Sequence, residues 1–342
     1  MDTIESLGEF GLIDRIAKQT TTSQPTTLRG IGDDCAVLSS SNDTVKVVTT
    51  DLLLEGIHFD LTYCPLKHLG YKAVAVNLSD ICAMNAHPQQ ITVSIGVSAK
   101  FTLKAIDDLY EGIHAACQRY GVDLVGGDTT SSLTGLTISI TAIGEQIPSR
   151  LAYRDGAHPN DILCVTGDLG AAYAGLQLLE REKRVLKGNN SASPAFDGYK
   201  YILERQLKPE PRQDIVDFLA KIDVVPTAMM DISDGLSSEL LHICTKSNVG
   251  CCVYEDKIPI HQETKNLCNE LNINPIVAAL NGGEDYELLF AIRQEDYQKF
   301  QSQPGPEIYA IGYICDSQKG RRLITTSGDE ADLKAQGWRF FN

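Results

Sequence analysis

Aspartates recur in five short polar stretches, each placed where a strand or helix is predicted to begin or end. The stretches are GIGDDCAVL (30–38), TTD (49–51), NLSD (77–80), GGDTT (126–130) and DISDG (231–235). Magnesium prefers hard oxygen ligands and typically bridges a few carboxylates to substrate phosphates. Together the stretches predict a site where magnesium ions hold phosphate groups, whereas each aspartate alone is also explained as a helix cap or turn residue.

The loop at 30–38 begins like a phosphate-binding loop but is acidic. A dinucleotide fingerprint needs a third glycine three residues after the second, and Cys35 occupies that position. The loop could be a tight turn in which Gly30 and Gly32 supply unusual backbone angles. Alternatively, its aspartates hold cations and the cations hold the phosphates, while glycine amides donate hydrogen bonds. The other acidic stretches favour the second interpretation.

Several familiar catalytic motifs are absent from the sequence. It contains no GxxxxGK[ST] phosphate loop, no HRD of protein kinases, and no HExxH, GxSxG or zinc deaminase pattern. DISDG does not fit a calcium loop, because the twelfth position counted from Asp231 is His242 rather than glutamate. The acidic stretches therefore belong to none of these motif classes.

The segments around the aspartates alternate between strand and helix patterns. Strands are predicted over 45–51, 90–97, 122–125 and 135–143, and helices over 65–84 and 102–120. Pro65 opens the first helix and Gly121 stops the second. In the second half, 228–244 passes from strand through turn to helix, and 282–292 from turn to strand. The fold class is therefore predicted to be α/β.

A polar loop rich in glycine and proline precedes the strand DILCVTG (161–167), so a domain boundary is predicted near residue 150. The chain is thereby divided into domains 1–150 and 151–342. The polar segment 188–198 is predicted to be a mobile loop rather than a further boundary.

Composition excludes several functional classes. The chain has 342 residues, 43% of them hydrophobic, and a formal net charge of −15. That charge repels nucleic acids and anionic membranes, and no apolar stretch is long enough to span a membrane. The N-terminus is acidic and lacks a signal-peptide core. Ten irregularly spaced cysteines without a CxxC pair indicate reduced core residues. We therefore expect a soluble, cytoplasmic protein that binds neither nucleic acid nor membrane.

Seven segments occur in the order found in thiamine-monophosphate kinases, and the chain resembles that family over nearly its whole length. They are GIGDDCAVL, TTDLLLEGIHF, KAVAVNLSDICAM, GGDTT, VTGDLG, DISDGLSSEL and GGEDYELLF. The wider superfamily includes aminoimidazole ribonucleotide synthetase, selenide water dikinase and a hydrogenase maturation protein. Selenide water dikinases have a reactive cysteine or selenocysteine near the N-terminus, whereas no such residue precedes Cys35 here. The hydrogenase maturation protein ends in a functional cysteine, whereas this chain ends in GWRFFN.

The resemblance implies a role for particular residues, position by position. The implied magnesium ligands are Asp34, Thr49, Thr50, Asp51, Asp80, Asp128, Asp231 and Asp234. The implied ATP contacts are Tyr110, Gly127, Asp128, Arg154 and Ser233. The implied contacts to the thiamine substrate are His58, Glu284 and Trp338. The tail GWRFF (337–341) also offers other aromatic candidates.

Simpler explanations exist for the substrate and nucleotide candidates. His58 could be a surface histidine, Glu284 a turn cap and Arg154 one half of a surface ion pair. Trp338, the only tryptophan, could be a packing anchor. The motif context favours the functional roles, since an aromatic face and a carboxylate both attract the thiazolium cation of thiamine.

The resemblance also implies an activity and an assembly. The expected reaction transfers the γ-phosphoryl group of ATP in line onto thiamine monophosphate at a multi-magnesium aspartate cluster. No side-chain general base is expected, because the substrate phosphate is already mostly ionised at neutral pH. The expected assembly is a homodimer, in which the N-terminal α/β domains bind ATP and magnesium and share a sheet or barrel. The C-terminal α/β domain closes over nucleotide and substrate. The alternatives are a related ATP-dependent synthetase and a non-catalytic regulator that binds nucleotide and metal.

Overall fold

The computed structural model describes residues 4–40, 43–188 and 196–335. Trp338 and the rest of the tail lie outside the described residues, as does most of the predicted 188–198 loop. The described chain forms two sheets, one within residues 27–146 and the other within 162–332. Helices pack against both sheets, so the predicted α/β class is confirmed.

The first sheet has six strands and is mostly antiparallel. The strands are β1 (Thr27–Arg29), β2 (Ala36–Ser39), β3 (Val45–Leu54), β4 (His87–Val97), β5 (Asp123–Ser131) and β6 (Leu136–Gln146). They are ordered β1-β2-β3-β6-β4-β5, and among these described strands only the β4–β5 pair is parallel. The alternating burial of β6 shows that one face of this sheet is covered and the other is more open. The described strands do not close into a barrel.

Three of the described helices belong to the same part of the chain as this sheet: α1 (Ile4–Gln19), α2 (Leu66–Ala83) and α3 (Leu103–Tyr120). Helices α2 and α3 touch closely because glycines face each other's backbone. A Cβ atom at Gly112 would lie 1.9 Å from the carbonyl oxygen of Lys67, and one at Gly70 would lie 2.0 Å from that of Leu109. Helix α3 ends at Gly121, whose φ of 66° is left-handed, as the sequence predicts.

Replacing Gly112 by alanine should destabilise the protein by about 1–3 kcal/mol. Alanine is the better helix former by about 1 kcal/mol, so a net loss would show that the clash with Lys67 outweighs propensity. The measurement is urea unfolding, compared with Gln118→Ala on the exposed side of the same helix. A Gly112→Ala protein as stable as the unmodified chain would contradict the close packing of α2 and α3.

The second sheet has seven strands and is also mostly antiparallel. The strands are β7 (Ile162–Thr166), β8 (Ala228–Asp231), β9 (Gly250–Tyr254), β10 (Leu288–Ile292), β11 (Ile308–Cys315), β12 (Arg321–Ile324) and β13 (Glu330–Asp332). They are ordered β13-β12-β9-β11-β7-β10-β8, and within the described part of the chain only the β9–β12 pair is parallel. Strands β7, β8 and β10 are almost entirely buried, because helices cover both of their faces.

Among the described residues, seven α-helices accompany the second sheet. They are α4 (Ala171–Gly188), α5 (Lys200–Leu207), α6 (Gln213–Lys221), α7 (Leu236–Ser247), α8 (Gln262–Glu270), α9 (Pro275–Asn281) and α10 (Gln294–Ser302). Strand β8, the following turn and α7 form the strand, turn and helix predicted for 228–244. The predicted passage from turn to strand over 282–292 is also present, with the strand beginning at Leu288.

One strand differs from its sequence-based prediction. The short strand predicted over 122–125 continues to Ser131, so GGDTT lies inside β5 rather than in a loop. Strand β5 is the exposed edge of the first sheet and pairs only with β4 on its inner side. Glycines and aspartate normally indicate a turn, but here the ladder with β4 overrides that local preference.

Helix α2 lies between the two parts of the chain. Fourteen of its eighteen residues are buried, including polar Lys72, Asn77 and Ser79. It packs against β3, β4 and β6 on one side and against β8, α5 and α6 on the other. A helix buried all round positions side chains for both parts at once, and α2 therefore supplies polar groups to the site.

Two composition-based expectations can be compared with the structure. No helix in the described parts of the chain is long and apolar enough to cross a membrane. All ten cysteines are unpaired thiols, and nine of them are buried, as expected for small core residues.

Candidate active site

Three of the predicted aspartates meet between the two sheets. Asp34 lies in the loop between β1 and β2, Asp80 lies on α2, and Asp231 is the last residue of β8. One carboxylate oxygen from each lies within 4.8 Å of those from the other two. The loop, helix and strand thus bring together residues nearly 200 positions apart in the sequence. We call these three residues the aspartate cluster.

Two hydroxyl groups fix the carboxylates of the cluster. The Oγ1 of Thr49 donates a hydrogen bond to Oδ2 of Asp80 at 2.5 Å, and the Oγ of Ser79 donates to Oδ2 of Asp231 at 2.6 Å. Both donor side chains are buried, so water does not compete freely for these two hydrogen bonds. Thr49 was a predicted ligand, whereas Ser79 was not identified from sequence.

Burial and mutual repulsion destabilise the charged forms of the cluster. Burial raises the pKa of Asp231 to about 7, and the neighbouring Asp34 adds to the shift. Burial also raises the pKa of Asp80 well above its usual range, with further increases from Asp51 and Asp231. Carboxylates held together in this way favour a nearby cation. Because every cluster ligand is oxygen, the site suits a hard cation such as magnesium.

Asp51 lies beside the cluster on β3. Its backbone N–H donates to Oδ1 of Asn77 on α2 at 3.1 Å, which connects strand and helix at the site. Burial raises the pKa of the Asp51 carboxyl to about 6. The charge of Asp51 also raises the pKa values of Asp80 and Asp231. Asp51 is therefore in position to share cations with the cluster.

Arg154 is held against the cluster by Asp34. Its guanidinium donates to both oxygens of that carboxylate, at 2.5 Å and 3.2 Å. The Asp34 side chain is fully buried and that of Arg154 is 17% exposed. The backbone N–H of Arg154 also donates to Asp33 at 3.2 Å. Arg154 was predicted to contact ATP, and the structure places it beside the metal-ligand candidates.

The turn after β8 brings in two further predicted residues. The backbone N–H of Asp234 donates to Oε1 of Glu239 at 3.0 Å, and burial raises the pKa of both carboxyl groups. The carbonyl oxygen of Ser233 accepts from the N–H of Glu284 at 2.7 Å. DISDG and GGEDYE are therefore adjacent in space, although about 50 residues separate them in the sequence.

A second group of polar residues surrounds Glu284. Lys72 donates to Oε1 of Glu284 at 2.9 Å, and Nε2 of Gln206 donates to Oε2 at 2.8 Å. His58 is close enough for the charges of Glu284 and Lys72 to affect its pKa. We call Lys72, Gln206 and Glu284 the Glu284 clamp. His58 and Glu284, both predicted substrate contacts, thus lie near one another.

The hydrogen bonding of His58 defines its tautomer. Its Nδ1 accepts from the N–H of Leu54 at 3.0 Å. Burial lowers the pKa of His58, and the charge of Lys72 lowers it further against an opposing effect of Glu284. A lowered pKa favours the neutral ring at pH 7, and the hydrogen bond accepted by Nδ1 assigns the ring proton to Nε2. In this form Nε2 is a donor and cannot act as a proton acceptor.

The glutamate-rich segment 282–287 is anchored by buried ion pairs. Glu287 pairs with both Arg205 and Arg212 and accepts a 2.6 Å hydrogen bond from Oγ1 of Thr166. Asp285 accepts from backbone N–H groups at the start of α4. Both carboxylates are at most 2% exposed. These anchors fix the backbone on which Glu284 is held.

The structure separates two predicted ligands from the cluster. Asp128 on β5 is in register across the sheet with Ser94, Ser139 and Leu52. Directly paired residues share a face, so Asp128 and Thr50 lie on the open face, whereas Asp51 lies on the helix-covered face. Three strand spacings also separate β3 from β5, which is roughly 14 Å. Within one chain, Asp128 and Thr50 therefore do not join the cluster.

Two predicted nucleotide contacts also lie away from the cluster. Gly127 is needed for close strand pairing, because a Cβ there would lie 1.8 Å from the carbonyl oxygen of Val93. Tyr110 lies on α3, with its ring 6.1 Å from that of His114. Both belong to the β4, β5 and α3 side of the first sheet. The position of Trp338 is outside the described residues.

Several residues of the site were not identified from sequence. Lys72 and Ser79 lie inside a recognised segment, but a lysine and a serine on a predicted helix give no signal of burial. Glu9 on α1 is near enough to Asp234 and Asp51 for their charges to raise its pKa, after burial. Nothing in its local sequence indicates that proximity.

Comparison with known proteins defines the class to which this fold and site belong. The N-terminal domain model of AIR synthase related proteins matches residues 32–146, and the C-terminal domain model matches residues 158–324. A thiamine-monophosphate kinase of Bacillus subtilis (strain 168) is 34% identical over 338 residues, covering 98% of this chain and 100% of the relative. The chain belongs to the thiamine-monophosphate kinase family.

Two further comparisons agree with this assignment. A thiamine-monophosphate kinase of Aquifex aeolicus (strain VF5) is 33% identical over 338 residues, covering 99% of both chains. The solved structure of AaThiL complexed with AMPPCP and TMP superimposes with a TM-score of 0.82 at 32% identity. It covers 100% of this chain and 99% of that one. The sequence-based resemblance is confirmed.

Proposed function

We propose that the protein phosphorylates thiamine monophosphate with ATP and releases thiamine diphosphate and ADP. The observation that carries the proposal is the buried aspartate cluster, present in a chain of the thiamine-monophosphate kinase family. AMPPCP, an ATP analogue, and TMP are bound in the AaThiL structure, which this chain matches over its whole length. The enzyme thus serves the biosynthesis of thiamine diphosphate.

The reaction needs no side-chain general base. The nucleophile is an oxygen of the substrate phosphate, whose second pKa is about 6, so it is already mostly ionised at pH 7. The barrier is instead the approach of two polyanions, which is lowered by positioning and by charge neutralisation. Arg154 supplies positive charge beside the cluster, and the Nε2–H of His58 can orient substrate as a donor.

The proposed cofactor is magnesium, as several ions. The residues proposed to hold it are the cluster aspartates Asp34, Asp80 and Asp231, together with Thr49, Asp51 and Asp234. When bound, magnesium neutralises and aligns the phosphates. The all-oxygen donors and the raised pKa values of buried carboxyls support this assignment. Arg154 and Ser233, both at this site, are the proposed contacts for the ATP phosphates.

We further propose that the protein is a homodimer. Thr50 and Asp128 remain proposed metal ligands, and Tyr110, Gly127 and Asp128 remain proposed ATP contacts. The exposed edge strand β5 and exposed Leu52 on the open sheet face support an interface there. A two-fold partner would bring its own β5 toward that face. Sedimentation equilibrium should give twice the chain mass, and a monomer with full activity would contradict this arrangement.

The remaining proposals concern organisation and location. We propose a domain boundary near residue 150, supported by the gap between the matched ranges 32–146 and 158–324. A reducing compartment such as the cytoplasm suits ten unpaired cysteines. Trp338 remains a proposed contact to the thiamine rings.

The proposed function is tested by mixing purified protein with magnesium and ATP and following ADP by a coupled assay. ADP should form only when thiamine monophosphate is added, and the product should be thiamine diphosphate. Substitution of the substrate of a related synthetase should give no ADP. A nucleotide-binding regulator would form no ADP with any of these additions.

A pH–rate profile can distinguish a positioning His58 from a general base. Because His58 donates through Nε2, His58→Gln should lower kcat/KM by about 10-fold. The acidic limb near pH 6 should remain, since it belongs to the substrate phosphate. The profile is measured for both proteins at saturating magnesium. Disappearance of the limb in His58→Gln would show that His58 accepts a proton.

A further inference from the structure

The carboxylate of Glu284 is held at both oxygens. Lys72 donates to Oε1 and Gln206 to Oε2, as described above. Lys72 also donates to the backbone carbonyl of Gln206 at 3.1 Å, so the three residues form a closed arrangement. Lys72 is 4% exposed and Gln206 5%. Fixing a lysine in this way costs side-chain entropy and desolvation, and its result is a single orientation of Glu284.

The charge of Lys72 changes what Glu284 can recognise. A lone carboxylate would attract the thiazolium cation of thiamine, but an ammonium group 2.9 Å away offsets most of that attraction. The pair is close to neutral for a ligand several ångströms away. What remains is the hydrogen-bonding capacity of the Glu284 oxygens, each of which retains a lone pair beyond its present donor.

The clamp is placed at a defined distance from the aspartate cluster. Lys72 and Asp80 lie on the same helix, eight residues apart. At 1.5 Å per residue, their backbones are separated by about 12 Å along α2. If the cluster holds the phosphate end of an extended thiamine monophosphate, the clamp lies toward its opposite end. The group at that end is the aminopyrimidine ring, whose exocyclic amino group is a hydrogen-bond donor.

A second acceptor lies beside Glu284. The Oε1 of Gln206 is buried and has no hydrogen-bond partner among the described residues. Its assignment as oxygen follows from the donation of Nε2 to Glu284. The oxygens of Glu284 and the Oε1 of Gln206 therefore offer unused hydrogen-bond acceptor capacity at one place. A ligand that presents an acceptor there would leave these oxygens unpaired and would be rejected.

We propose that Lys72 and Gln206 are positioning residues that hold Glu284 as an acceptor for the pyrimidine amino group, and thereby select thiamine monophosphate over analogues lacking that amino group. The inference rests on the proposed function, because it concerns how that substrate is chosen. The appropriate analogue has an oxo group in place of the amino group and keeps the same thiazolium and phosphate.

The experiment compares kcat/KM for thiamine monophosphate and for the oxo analogue at saturating magnesium and ATP. The unmodified protein should prefer the amino substrate by about 10- to 100-fold, as expected for a hydrogen bond to a charged group. Lys72→Met should reduce the preference to about threefold or less while leaving the KM for ATP nearly unchanged. Any general effect on thiazolium or phosphate binding cancels in the ratio.

Two further variants keep the test decisive. Gln206→Met removes the other donor to Glu284 and should also reduce the preference, which decides the matter if Lys72→Met does not fold. Lys67→Met is the matched control: Lys67 lies on the same helix but pairs with exposed Glu111 on α3, so the preference should persist. A preference unchanged in both clamp variants would overturn the inference alone. No ADP formation by the unmodified protein would overturn the proposed function and, with it, the inference.

Discussion

Asp80→Asn is expected to lower kcat by at least about a thousandfold while leaving the protein folded. Asp80 provides a carboxylate within 4.8 Å of those of Asp34 and Asp231, and its own position is fixed by Thr49. Asparagine preserves the size of the side chain but removes the charge that attracts cations. The polyanionic substrates would then meet with less neutralisation, and the rate should fall.

The expected effect of Asp80→Asn on stability is opposite to its effect on activity. Without magnesium, burial and the neighbouring carboxylates already disfavour the charged form of Asp80, as its raised pKa indicates. Asparagine removes the cost of charging this group, so the unfolding temperature should be equal or higher. Steady-state kinetics and thermal unfolding measure the two effects separately. Asp108→Asn is the control, since it removes a carboxylate on α3 that pairs with exposed Lys104. Magnesium-dependent activity within tenfold of normal in Asp80→Asn would contradict the metal site.

Glu287→Gln should lower the free energy of unfolding by about 3–5 kcal/mol at pH 7. Glu287 is 2% exposed and neutralises Arg205 and Arg212, whose side chains are 16% and 14% exposed. Glutamine keeps the shape but leaves two largely buried guanidinium groups with less opposite charge. Urea unfolding of the two proteins gives the difference directly.

The difference in unfolding free energy between the unmodified protein and Glu287→Gln should depend on pH in a definite direction. Burial would raise the pKa of Glu287, but the charges of Arg205 and Arg212 hold it below its ordinary value. A carboxyl with a lowered folded pKa stabilises above its unfolded pKa, and that stabilisation is lost as the pH falls through the folded pKa. The loss in unfolding free energy caused by Glu287→Gln should therefore be largest at pH 7 and become smaller below about pH 4.

The control is Asp214→Asn, which removes a 54% exposed partner of Arg212 and should cost at most about 1 kcal/mol. An equal loss in both variants would contradict a special role for Glu287.

Local patterns were sufficient to predict much of the fold. Helix α2 lies one residue inside its predicted bounds at each end, and α3 ends at the predicted Gly121. Pro65 and Gly121 act through local backbone geometry, which does not depend on distant residues. Strand β5 was underestimated because pairing with β4 is a non-local interaction. Its glycines and aspartate favour a turn when considered alone.

The candidate site was predictable in its residue types but not in its grouping. The order of motifs indicated Asp34, Asp80 and Asp231, and the structure brings their carboxylates together. The face on which Asp128 lies depends on the register of four strands, which no local pattern encodes. Lys72 was missed for a related reason. A lysine on a helix is normally exposed, and the burial of Lys72 depends on non-local packing that brings Gln206 of α5 and Glu284 against it.

The bidentate pair between Arg154 and Asp34 joins a proposed phosphate contact to a proposed metal ligand. Under the proposed function, a cation that binds Asp34 competes with Arg154 for this carboxylate, and the released guanidinium would then be available to a phosphate group. Breaking the pair is a single unfavourable step that benefits both events. Under the proposed function, cation and nucleotide should therefore bind with positive cooperativity, and by reciprocity each should raise the affinity for the other by the same factor.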